Sequence, residues 1–357
     1  MENDELIKLI KNISKKIDHP INIMEVCGTH TAQIFRYGIK DILPPNIRLI
    51  SGPGCPVCVT PVKDIDKIIE ISTNKDVIIS TFGDMIRVPG SKGSLETAKA
   101  EGADIRIVYS PFDCIKISRE NINKKVIFFS TGFETTVPTV SATLQEAESQ
   151  GIGNLFIYSV HKLIPPALEL LLNDKDINIS GFILPGHVSV IIGSAPYKFI
   201  PEQYNKPCVI TGFGSRDILS AIAMLLFQIK RCESKLEIQY KEVVMEQGNL
   251  KAINFINRYF EVKDSYWRGI GVIENSGLKL KREWSHRDAE RLFEINVPDN
   301  KEPSGCLCGH VLKGIKTPLE CPLFGKRCNP EHPVGACMVS SEGSCSVYFK
   351  HRQVSDD

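Results

Sequence analysis

The sequence predicts an α/β protein: two parallel-sheet α/β domains, followed by a C-terminal Cys-rich domain made mainly of helices and loops. Three observations carry this expectation. Short runs rich in Val, Ile and Phe recur at residues 77–80, 105–110, 126–130, 155–160, 182–184 and 209–211, and they are apolar throughout rather than alternating. Strands covered on both faces read this way, as the central strands of parallel sheets do. Stretches of helix length separate the runs, which is the spacing of βαβ crossovers. Nearly every run also ends in Gly, Pro, Ser or Thr, as at 51–54, 81–83, 131–132, 185–186 and 211–214. In open parallel sheets, ligands bind in the crevice beyond the carboxyl ends of the strands, so these loops form the expected functional rim.

In chain order, the opening MENDELIKLIKNISKKI reads as an amphipathic, lysine-rich helix without the apolar core of a secretory leader. A strand-like stretch at 22–26 leads into Cys27-Gly28-Thr29-His30 and a helix carrying Ile34, Phe35 and Tyr37. Another at 48–50 leads into Gly52-Pro53-Gly54-Cys55-Pro56-Val57-Cys58, with a helix starting at Pro61. Residues 218–232 and 243–260 read as helices, after which the chain turns charged and then rich in Gly, Pro and Cys. Domain boundaries are placed near 120 and 235, dividing the chain into 1–120, 121–235 and 236–357. A length of 357 residues fits two or three domains.

Composition excludes several function classes. Lys and Arg number 43 against 42 Asp and Glu, so bulk charge offers no attraction to nucleic acid or an anionic membrane. The longest plainly apolar run, 221–227, is far too short to span a bilayer. Neither a G-x-x-x-x-G-K-[ST] loop nor a G-x-G-x-x-G fingerprint after a strand is present, so nucleotide hydrolysis is not supported. A cytoplasmic protein is expected, and twelve cysteines in that compartment point to metal or redox chemistry rather than a disulfide framework.

Cys306, Cys321, Cys328 and Cys345 follow the spacing C-x14-C-x6-C-x16-C and supply the four thiolates that one [4Fe-4S] cluster requires. Zinc ribbons bring their cysteines in tight C-x2-C knuckles, which these long, uneven intervals lack. Cys308 and Cys337 lie in the same segment, so six thiols compete for four positions and other quartets stay open. Cys27, at a helix N-terminus, has its thiolate favoured by the dipole and by free N–H groups, as a nucleophile or metal ligand does, and His30 lies close enough to share its ligand. Cys55 and Cys58 form a C-x-x-C pair in a rigid turn expected to be exposed, suited to dithiol exchange or metal ligation. Cys114, Cys208 and Cys232 read as small core residues. Glu134 stands at a helix start where capping explains its Thr neighbours but not the carboxylate. His161 and His187 fit a structural role as well as metal binding or proton transfer, and Asp84 fits a helix cap or a ligand.

With these residues in view, the chain resembles the HypD family of [NiFe] hydrogenase maturation factors. The resemblance rests on CGTH at 27–30, GPGCPVC at 52–58, TFGDMIRVPGS at 81–91, GFETTVPT at 132–139, PGHVSVIIG at 185–193 and the C-terminal cysteine spacing. It implies a scaffold on which Fe(II), carried as an Fe(CN)2CO intermediate, is assembled with a HypC-type small chaperone and a HypE-type cyanide donor. It implies further that Cys27 is an iron ligand, that Cys55 and Cys58 are the redox pair at that metal site, and that Cys306, Cys321, Cys328 and Cys345 hold the cluster. His30 and Glu134 match motif positions near the assembly site. The stretch Ser159-Val160-His161-Lys162 departs from the Asn-His run expected of relatives. Two other readings are a [4Fe-4S]-coupled thiol-disulfide oxidoreductase holding no further iron, and a zinc-stabilised binding module.

Overall fold

The computed structural model describes residues 2–298 and 302–352. All eight expected strands form: β1 (Ile21–Glu25), β2 (Ile47–Ser51), β3 (Val77–Thr81), β4 (Ile105–Ile107), β5 (Lys125–Ser130), β6 (Leu155–Ser159), β7 (Gly181–Pro185) and β8 (Cys208–Thr211). β3, β7 and β8 are buried at every position, which is why their sequences carry no alternation. β4 stops three residues earlier than its apolar run because it is an edge strand, and beyond it Tyr109 is 95% exposed.

The strands form two parallel sheets, of order β2-β1-β7-β8-β9 and β4-β3-β5-β6, with β9 at Leu236–Ile238. The chain leaves the first sheet after β2, builds the whole second sheet, and returns to complete the first. This corrects the division at residue 120. β3 and β5 pair across that point, with Val77 opposite Lys125, while β1 pairs with β7, Ile23 opposite Gly181. The second sheet is therefore an insertion in the first, and residues 121–235 serve both. β9 likewise crosses the boundary near 235, with Glu237 opposite Val209.

The C-terminal part also differs from a helical and loop domain. It contains an antiparallel hairpin of β10 (Phe260–Trp267) and β11 (Gly271–Leu280), which packs on the helix Ile164–Asn173. The helix expected over 243–260 begins only at Leu250. Asn249 caps it by accepting from the Ala252 N–H at 3.1 Å, and Gly248, at φ +70°, breaks the chain before it. One buried cluster runs from Met24 and Val26 through Ile79 and Phe129 to Leu312, Phe324 and Met338, so both sheets and the C-terminal part share a core. At the other face of the first sheet, Leu6, Ile10 and Ile13 of the helix Asn3–Ser14 pack on the helix Ser215–Lys230. Cys114 and Cys208 are buried as expected, whereas Cys232 is exposed, two residues past that second helix at φ 52°.

Candidate functional site

β1 and β2 pair along their whole length, so the loops that follow them leave the sheet side by side. Gly28 N–H donates to the Gly54 carbonyl at 2.9 Å, and Gly52 N–H donates to the Glu25 carbonyl at 2.7 Å. Gly54 is required there: a Cβ on it would lie 2.3 Å from the Cys27 nitrogen, a backbone atom that cannot move aside. The loop carrying Cys55 and Cys58 is thus pressed directly against Cys27. Cys55 and Cys58 are joined by a disulfide with Cα atoms 5.3 Å apart. The expectation of an exposed turn is corrected, since the two residues are 3% and 0% exposed. One cover is the turn between β10 and β11, where Arg268 N–H donates to the Val59 carbonyl at 2.9 Å.

Cys27 is the N-cap of the helix Gly28–Arg36, as expected, and the His30 N–H favours its thiolate. That contribution loses. Burial, with the charges of Glu342 and Glu25, pushes the thiol up to about 12, so unliganded Cys27 keeps its proton. Glu25 is itself buried at the end of β1. Its carboxylate accepts from the Thr31 hydroxyl and, at 3.2 Å, from the Cys27 N–H, yet burial still raises it to about 7. Glu342 reaches the site from the C-terminal segment, accepting from the Thr29 hydroxyl at 2.6 Å. A Cβ on Gly28 would sit 2.5 Å from Glu342 Cβ, so Gly28 too marks a close approach.

His30 is fully buried. Its Nε2 donates to the Gly212 carbonyl at 2.9 Å, which fixes the proton there and leaves Nδ1 as a lone pair with no partner among the described residues. Burial lowers its pKa to about 4, so the ring is neutral. Phe213 stacks on His30 at 4.6 Å between centroids and on His187 at 3.9 Å. Residues beyond β1, β2, β7 and β8 therefore converge at one end of the first sheet, the position that a parallel sheet reserves for ligands.

Other candidates make their hydrogen bonds elsewhere, although Glu134 and Cys27 both act on the buried Tyr197 hydroxyl. Glu134 lies beyond β5 on the second sheet. Its Oε1 accepts from the Ile164 N–H at 3.0 Å, Oε2 has no partner among the described residues, and burial raises the carboxyl to about 7. His161 is structural: Nε2 and Nδ1 each meet a hydroxyl, of Ser130 and Ser159, at 3.1 Å. Asp84 accepts from Ser340 Oγ at 2.9 Å and ties the C-terminal segment to the second sheet.

All six C-terminal cysteines, Cys306, Cys308, Cys321, Cys328, Cys337 and Cys345, line one cavity, with Val311, Leu323, Phe324 and Met338 among its apolar walls. Its volume of about 10 Å³ leaves space for one water at most. Hydrogen bonding from Cys306 and Cys337 holds the Cys308 thiol well below its usual range and raises those two donors. Among the described residues, no three His, Cys, Asp or Glu side chains are arranged to hold a single ion. The potential ligands are all sulfur in an otherwise apolar wall, a donor set that fits an iron-sulfur cluster or another soft metal and not a hard cation. Cys345 lies in the helix Ser344–Arg352, which packs on the Cys27 helix through Phe35 and Tyr348 at 4.6 Å. The segment 342–345 thus reaches both sulfur sites.

A family model described as "HypD: Hydrogenase formation hypA family" matches residues 2–352. The chain belongs to the HypD family. It is similar to the hydrogenase maturation factor HypD of Rhodobacter capsulatus, 44% identical over 352 residues, which are 97% of this chain and 93% of that protein. The corresponding factor of Escherichia coli is 44% identical over 358 residues, 98% of this chain and 96% of its own. That of Azotobacter vinelandii is 43% identical over 336 residues, 92% and 89% respectively. The loops on which the HypD resemblance rests divide between the sheets: CGTH, GPGCPVC and PGHVSVIIG meet on the first, and GFETTVPT stands on the second. Sequence reasoning missed Glu25, Glu342 and Arg268. Only Glu25 gives a local signal, as a carboxylate closing an apolar strand.

Proposed function

We propose that the protein is a hydrogenase maturation factor, the scaffold on which Fe(II) is assembled into an Fe(CN)2CO group with a HypC-type small chaperone and a HypE-type cyanide donor. The observation that carries this reading is the contact through Gly54, which sets a buried thiol, Cys27, against a disulfide that can take up two electrons. Iron is the cargo. Binding it would displace the proton that burial otherwise keeps on Cys27, and the neutral His30 Nδ1 offers a second donor or a base nearby. Cys55 and Cys58 are read as the redox pair at that iron. As a dithiol they supply the two electrons and two protons that convert a thiocyanate, R–S–C≡N, into R–SH and HCN while the disulfide forms. Glu134 is assigned to the assembly site by its motif alone. Cys306, Cys321, Cys328 and Cys345 would hold a [4Fe-4S] cluster, which supplies one-electron reducing equivalents when bound. Among the described residues no helix is long and apolar enough to cross a membrane, and the proposed place of work is the cytoplasm.

The test is metal and sulfide analysis on protein purified without oxygen, with infrared spectra before and after co-expression with the HypC-type partner. Four irons and four sulfides, with cyanide and carbon monoxide bands appearing only in the complex, are expected. Zinc without sulfide would replace the scaffold by a zinc-stabilised binding module. Cys58→Ala should abolish cyanide loading under a defined reductant, and full loading would end the dithiol role.

A further inference from the structure

Arg268 belongs to none of the motifs, yet it lies between the two sulfur sites. It sits in the turn between β10 and β11 and is fully buried. Its backbone N–H donates to the carbonyl of Val59, the residue after Cys58. The next residue, Gly269, has φ +72° and packs so closely that a Cβ on it would lie 2.7 Å from the Cα of Gly309, the residue after Cys308. One tight turn therefore touches the dithiol loop with one residue and the wall of the six-cysteine cavity with the next.

The side chain is arranged as a charge held in reserve. Nε donates to the Glu302 carboxylate at 2.9 Å and Nη1 to the Pro89 carbonyl at 3.1 Å, while Nη2 is buried with no partner among the described residues. An unmade hydrogen bond from a buried guanidinium is costly, and Nη2 is the part of this side chain able to take a further acceptor. Both the Arg268 charge and the Cys308 sulfur act on the Glu302 carboxyl, with Arg268 and Glu302 behind the cavity wall and Cys308 in it.

We propose that Arg268 is a fixed positive charge behind the wall of the six-cysteine cavity, a positioning residue whose guanidinium acts on the anionic metal–sulfur centre across Cys308 and whose backbone fastens that wall to the Cys55–Cys58 loop. The assignment rests on the reading of the cavity as an iron-sulfur site. A nearby positive charge favours the more negative, reduced state of such a centre and raises its potential, and the Glu302 carboxylate partly cancels it.

The experiment compares iron and sulfide content and then the midpoint potential, by spectroscopic redox titration, in wild type, Arg268→Met, Arg268→Lys and Glu302→Gln. Arg268→Met should change the reduced-to-oxidised ratio at least tenfold towards oxidised, about 59 mV lower for a one-electron couple. Arg268→Lys keeps most of the wild-type potential, and Glu302→Gln shifts it upwards. Opposite signs are the signature, because a packing role alone moves both variants the same way. If Arg268→Met fails to fold, Glu302→Gln with the arginine in place still decides, and a downward or absent shift overturns the assignment. Loaded variants with unchanged potentials overturn it alone, whereas wild-type protein without iron and sulfide overturns the cavity reading and the assignment with it.

Discussion

Glu134 keeps one carboxyl oxygen on the Ile164 N–H and buries the other without a partner among the described residues, and burial raises its pKa from the ordinary 4.5 to about 7. In the unfolded chain the same group ionises near its ordinary value, so between those two values the folded state binds the extra proton. The stability this contributes is fully present below pH 4.5 and is lost as pH rises through about 7. At ~1.4 kcal/mol per unit the loss is about 3 kcal/mol. In Glu134→Gln the side-chain oxygen still accepts from Ile164, and the amide does not ionise. Urea unfolding of metal-free protein across this range should therefore show Glu134→Gln gaining about 3 kcal/mol on wild type between roughly pH 4.5 and 8. Glu25, raised to about 7, and His30, lowered to about 4, titrate in both proteins and cancel in the difference. Parallel stability curves would refute the reasoning, because they would mean that the folded carboxyl ionises as freely as the unfolded one.

Two further outcomes follow from geometry. Gly54→Ala forces a methyl to 2.3 Å from the Cys27 nitrogen and should cost about 1–3 kcal/mol or more. An unchanged melting temperature would show that the two loops can part freely. Cys232 is the exposed thiol among the described cysteines, so a bulky alkylating agent should label it first in native protein. Cys232→Ser should remove that rapid phase and leave stability within about 0.5 kcal/mol, and a rapid phase that persists would mean that another thiol is open.

The strands were legible because both faces of β3, β7 and β8 are buried, which writes an unbroken apolar run. The hairpin was not, because β10 exposes Glu261, Glu290-paired Lys263 is only half covered, and the strand's charges break any alternation. The interleaving of the sheets was invisible for a different reason: pairing β1 with β7 is a contact between distant segments and leaves no local pattern. At the site, the cysteines stood out as a residue type, but their burial did not. The helix start that favours a Cys27 thiolate is written in the sequence, whereas the burial that overrides it, and the Glu342 charge that adds to it, depend on segments far away in the chain. Arg268 and Glu342 gave no signal, since each acts through a partner far away in the chain.

The returning path of the chain also sets an order of events during synthesis. β1 has β2 as its neighbour but lacks β7 until Gly181 has been made, and the chain from Glu25 to Gly181 takes on the order of ten seconds or more to translate. By the end of that interval the second sheet has all four of its strands, while Cys27, Cys55 and Cys58 still hang from a two-stranded fragment that cannot be stable alone. These three thiols are thus made early and sheltered late, and a reducing environment around the nascent chain protects them before the fold does.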